Sequence, residues 1–126
     1  MTLAFDKRGI RRLRLKRPAA GSFSLSSISI VNLSSVGAGI EHVMELTPGK
    51  RGRLEFFWGA NRLTLSCEIV RTKIKKGSPP GAPIYTTGLA FYDETETALT
   101  TLRKLIGDVL DKRSAEEPSG KHVSEF

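Results

Sequence analysis

The sequence predicts a mainly β domain, a small barrel or sandwich of five or six strands with one C-terminal helix. Short runs of β-branched and apolar residues recur between Gly, Pro and Asn clusters from residue 22 to residue 92. One of these runs alternates strictly: Leu63, Leu65, Cys67 and Ile69 fall on one side, Arg62, Thr64, Ser66 and Glu68 on the other, as a half-buried strand requires. After Tyr92 the apolar period lengthens from that of a strand to that of a helix. With 126 residues, 39% of them hydrophobic, the chain has material for a single modest core.

The elements follow in order. Residues 1–17 are expected to be a flexible basic arm, in which 12–16 could add a short strand. Pro18-Ala19-Ala20-Gly21 marks a turn. Strands are expected near 22–33, 39–45, 52–58, 62–74 and 84–92. In the first of these, Phe23 and Leu25 are odd-numbered while Ile28 and Ile30 are even, and a bulge or bend at Ser26-Ser27 would reconcile the two phases. Turns fall at Thr47-Pro48-Gly49, at Gly59-Ala60-Asn61 and in the Gly77-Ser78-Pro79-Pro80-Gly81 loop. Leu99, Leu102, Ile106 and Val109, widened by Leu105 and Leu110, form the apolar stripe of a helix over 95–112, with Asp93 and Glu96 as a capping box. The barrel and helix thus occupy 18–112, and the polar stretch 113–126 is expected to be a disordered tail.

Net charge is +7, from 20 Lys+Arg against 13 Asp+Glu. Its location matters more than its size, because Lys7, Arg8, Arg11, Arg12, Arg14, Lys16 and Arg17 crowd the arm with no acid among them. Such an arm suits a phosphate-bearing partner, whereas the remainder of the chain is nearly balanced. The longest apolar runs fall far short of a membrane span, and the N-terminus lacks a signal-peptide core, so a cytoplasmic protein without membrane insertion is expected.

Chemistry of the common catalytic kinds is not supported. Cys67 is the only cysteine, which excludes an intrachain disulfide, and no Cys/His spacing suits zinc. Of the two histidines, His122 lies in the tail and His42 in a short strand, so neither pairs with a nucleophile in a recognisable way. Gly37-Ala38-Gly39 hints at a dinucleotide fingerprint, but His42 stands at the third glycine position and a strand follows where a helix is needed. A non-enzymatic protein without a cofactor is the expectation.

Two patterns remain, Arg8-Gly9-Ile10-Arg11-Arg12 (RxxxR) and Asn32-Leu33-Ser34-Ser35-Val36-Gly37 ([D/N]xSxxG). Either alone is weakly specific; their order, in a β-rich chain that ends in a helix, is more telling. At these residues the sequence resembles the PilZ domain family, and the resemblance extends over 7 to about 110. Pro48-Gly49 before a strand, Glu68-Ile69-Val70-Arg71 and Gly88-Leu89-Ala90-Phe91 support it.

The resemblance implies a small six-stranded antiparallel β-barrel with a C-terminal α-helix, and cyclic di-GMP as the ligand. It implies Arg8 and Arg12 as the arginine pair and Asn32, Ser34 and Gly37 as the second motif, with Asn in the place of the commoner Asp. Lys7 and Arg11 offer a second register of the basic motif. Arg forks can pair with phosphate oxygens or guanine O6/N7 and can stack on a base, a task that also suits Arg71 if it lies at the barrel rim; the alternative for Arg71, in phase with Ile69, is a place out of register on the surface. Such a receptor would order its arm on binding and signal through an effector protein, as a monomer or a dimer. The competing readings are a small-barrel nucleic-acid binder that stacks bases on Phe56, Phe57 or Trp58, and a PilZ-like adaptor that binds no nucleotide. Nucleic acid is the weaker expectation, since the basic residues do not line a groove and Glu41, Glu45, Glu55 and Glu68 dot the sheet.

Overall fold

The computed structural model of the protein describes residues 12–92 and 94–116. Six strands, β1 (Arg12–Phe23), β2 (Ser26–Ser34), β3 (Gly37–His42), β4 (Arg51–Trp58), β5 (Asn61–Ile74) and β6 (Tyr85–Phe91), precede the helix α1 (Glu96–Glu116). Every pairing is antiparallel, and the ring closes in the order β1-β2-β3-β6-β5-β4. The expected architecture is therefore the observed one.

Alternation decides which side chains fill the barrel. Leu13 and Leu15 of β1, Ile28, Ile30 and Leu33 of β2, Ala38 and Ile40 of β3, Leu54 and Phe56 of β4, Leu63, Leu65, Cys67 and Ile69 of β5, and Leu89 of β6 are all buried. One face of α1 supplies Leu102, Leu105 and Ile106 to the same core, and the helix packs on β1, β2 and β5. Leu102 is fully buried; cutting such a side chain back to Ala typically costs about 2–5 kcal/mol.

Several local expectations are corrected. The predicted strand over 22–33 is two strands joined by a tight hairpin at Ser24 and Leu25, both with positive φ (50° and 74°), so the phase slip marks a chain reversal and not a bulge. Pro18–Gly21 is not a turn. It lies inside β1, where a register shift between Arg14 and Ala19 absorbs the proline that a regular ladder would reject. The possible short strand at 12–16 is present, as the start of β1, so that residues 12–17 of the expected arm are strand, because Leu13 and Leu15 alternate inward between exposed Arg12, Arg14 and Lys16. The helix runs past 112 to Glu116. Its cap is Thr95, whose Oγ1 accepts from the Ala98 amide at 3.1 Å; Asp93, the expected cap, lies outside the described residues, as do 1–11 and 117–126.

Candidate functional site

Asn32 opens the second motif and faces outward, since its neighbour Leu33 is buried. The ladder between β2 and β3 shifts register between Ile30 and Asn32, so Val31 is the extra residue that re-aims Asn32. A matching shift between Ile69 and Arg71 in β5 does the same for Arg71. Simple alternation would have put Arg71 in phase with buried Ile69; the bulge at Val70 turns it out to the exposed surface.

These two bulges bring the residues into one row. Arg14 pairs with Asn32, Asn32 with Gly39, Gly39 with Gly88, and Gly88 with Arg71. The row crosses β1, β2, β3, β6 and β5 on the outside of the barrel. Its middle is bare backbone, flanked by the Asn32 amide and by the Arg71 stem, whose Cγ would lie 3.9 Å from a Cβ at Gly88. Among the described residues Arg71 makes no ion pair and the Asn32 amide no hydrogen bond. The chemistry available is that of a flat floor with an amide at one side and guanidinium groups at both, suited to a planar, hydrogen-bonding, anionic ligand.

Ser34 and Gly37 shape the turn beside this row. Ser34 is buried, and its Oγ accepts from the amides of Val36 and Gly37, both at 3.2 Å, while donating to the Gly37 carbonyl at 3.4 Å. It thereby holds the β2–β3 turn. A Cβ on Gly37 would stand 2.2 Å from the carbonyl oxygen of Leu89, so only glycine permits β3 and β6 to pair there. The turn they build is what delivers Asn32 and Gly39 to the same row.

Arg12, the second arginine of RxxxR, is the first residue of β1, exposed, and pairs with Ser34. The basic motif therefore enters the barrel beside the second motif. Lys7, Arg8 and Arg11 lie outside the described residues. Gly39, Gly88 and Arg14 were not singled out as site residues by their motifs. A glycine within a strand was the available signal, since it weakens the strand unless something must come close to it.

Outside this row, among the described residues, the cysteine and the histidine are both committed. Burial, reinforced by the negative charge of Glu94, pushes the Cys67 thiol up to about 12, so it stays protonated and unreactive. His42 is buried; its Nδ1 is 2.7 Å from the Met44 carbonyl, which makes Nδ1 the donor, and its Nε2 is 2.5 Å from Thr87 Oγ1. Burial lowers its pKa against the smaller opposing effect of the Met44 bond. The hydroxyl beside it, Thr87 Oγ1, is itself buried and lies 2.7 Å from Thr72 Oγ1. Of the three aromatics considered for stacking, Phe56 is buried, Trp58 packs partly on the core, and only Phe57 is exposed, on β4 and away from the row.

Comparison with known proteins gives a consistent result. The sequence profile of the PilZ domain matches residues 7–108. No curated protein sequence matches the chain. Among solved structures, the PilZ domain with c-di-GMP of YcgR from Escherichia coli superposes with a TM-score of 0.67 at 16% identity, covering 92% of this chain and 99% of that one. The MrkH–c-di-GMP complex of K. pneumonia gives 0.68 at 11% identity, over 86% of this chain and 55% of MrkH. The Bacillus subtilis inhibitor of motility, MotI/DgrA, gives 0.66 at 14%, over 85% and 53%. This chain thus spans about half the length of the last two, and at these identities the likeness concerns the fold.

Proposed function

The chain belongs to the PilZ domain family, and on that premise we propose that it is a non-enzymatic receptor for cyclic di-GMP, binding it across the β1-β2-β3-β6-β5 face. The observation that carries this reading is the row Arg14–Asn32–Gly39–Gly88–Arg71, with Arg12 at its border. The c-di-GMP bound in the similar YcgR and MrkH structures supports the choice of ligand.

Each residue then has a role. Arg8, Arg11 and Arg12 supply guanidinium forks for phosphate oxygens or guanine O6/N7, the pairing that Arg geometry favours. The Asn32 amide, with a donor and an acceptor side by side, hydrogen-bonds a guanine edge. Arg71 stacks on a base from the far side of the glycine floor. Ser34 and Gly37 contribute by fixing the turn. Neutralising the RxxxR segment changes the surface beside β1, and that change is what a protein partner would read.

Calorimetric titration with cyclic di-GMP at two salt concentrations, with GTP as control, tests the proposal. Saturable one-site binding near micromolar, about −8 kcal/mol, is the expected result. Arg8→Ala and Asn32→Ala should each weaken it about tenfold or more, the usual scale for a lost contact to a charged group. No heat with the wild type would discard the ligand, and length-dependent binding to polynucleotides would favour a nucleic-acid partner instead.

A further inference from the structure

Gly39 is unlike its neighbour in the row. Its φ is not in the left-handed region, so backbone conformation does not demand glycine there. What a Cβ would meet is the Asn32 side chain: Nδ2 at 2.5 Å, Cγ at 3.0 Å and Oδ1 at 3.0 Å, the entire amide group. The amide therefore lies flat on the β3 backbone, in the space a side chain at 39 would otherwise fill. At Gly88 a Cβ would meet only the Arg71 Cγ, at an ordinary 3.9 Å.

We infer that Gly39 is a positioning residue for ligand recognition: it lets the Asn32 amide lie down against β3 with its donor and acceptor directed over the glycine floor. The inference rests on the reading of Asn32 as a nucleotide contact. The contact is steric, since the amide has no hydrogen-bond partner among the described residues to hold it. Any methyl at 39 must lift the amide away from β3, because 2.5 Å is far inside van der Waals distance and the short Asn side chain has only two torsions with which to respond. A lifted amide is misdirected toward solvent, although the strand pairing of Gly39 with Asn32 and Gly88 is unchanged.

The test is a double-mutant cycle read by both calorimetry with cyclic di-GMP and thermal unfolding, using wild type, Gly39→Ala, Asn32→Ala and the double variant. Gly39→Ala should weaken binding about as much as Asn32→Ala, roughly tenfold, and the double variant no more than either. In ligand-free protein, Gly39→Ala should be less stable than wild type, and that loss should shrink in the Asn32→Ala background, where the space is open. Wild-type affinity in Gly39→Ala would overturn the inference while leaving the receptor reading intact. Additive losses in the double variant would overturn it too, since Gly39 would then meet the ligand directly. A wild type that binds no cyclic di-GMP would overturn the receptor reading and the inference together, whatever the unfolding data show.

Discussion

The outer surface of this barrel has two faces whose basic residues meet different neighbours. On β4 and β5, basic residues meet acids: Arg51 is the register partner of Glu68, with the two groups 3.6 Å apart, and Arg62 reaches Glu55 at 3.2 Å. Arg51 also lies over the Tyr92 ring, 4.1 Å from its centre. On the face made by β1, β2, β3, β6 and β5, Arg12 is opposite Ser34, Arg14 opposite Asn32 and Arg71 opposite Gly88. No acid stands in register with them. Net charge therefore says little about this molecule until it is located on strands: the ion pairs of β4 and β5 are ordinary solvated surface, whereas cations in register with neutral residues along the row can attract an anion.

The sharpest way to break this contrast is charge reversal. Arg71→Glu should weaken cyclic di-GMP binding by about a hundredfold in calorimetry, as the loss of a cation is compounded by repulsion, whereas Arg62→Glu on the other face should leave affinity within about twofold. Equal losses in the two variants would mean that the ligand responds to overall charge and not to a face.

A contrast within the second motif comes next. Gly37→Ala drives a methyl into the Leu89 carbonyl and should cost stability on the order of 1–3 kcal/mol, lowering the unfolding midpoint by several degrees. Asn32→Ala, on the outward side, should reduce affinity with little change in that midpoint. Denaturant titration separates the two.

Acid should weaken the barrel end that holds His42 rather than the Asn32–Arg71 row. His42 has a lowered pKa in the fold, so its contribution to stability is complete above its unfolded value of about 6.5 and falls away as pH drops from there toward the lowered native value. Unfolding midpoints between pH 8 and pH 5 should decline, and His42→Gln should flatten the decline. The smallest effects concern groups the fold has sealed or balanced. Cys67 in the native protein should resist thiol reagents at pH 8 and react only on unfolding, and Arg62→Ala should change stability by no more than about 1 kcal/mol, as exposed pairs do.

Much of the barrel was legible because burial imposes a period. Leu63 to Ile69 could face only one way, and the stripe through Leu102 and Ile106 could only be a helix laid on a core. What escaped were departures from period. Ser24-Leu25 carries neither Gly nor Asn, the residues that announce a hairpin of positive φ, so two strands read as one. The bulges at Val31 and Val70 leave no mark in composition, and without them alternation leaves the placing of Arg71 open and the row through Asn32 does not exist. Asn32 could be picked out from its motif as a candidate for ligand contact. That Ser34 and Gly37 serve the turn required knowing how close β6 passes.

Amide chemical shifts followed by NMR during titration with cyclic di-GMP test the central claim most directly, because they report which face of the barrel the nucleotide covers. The largest changes should fall on Asn32, including its side-chain amide, and on Gly39, Gly88 and Arg71, with Glu55, Phe57 and Arg62 nearly still. Changes centred on β4 and β5, or an absence of any shift along the Asn32–Gly39–Gly88–Arg71 row, would contradict it.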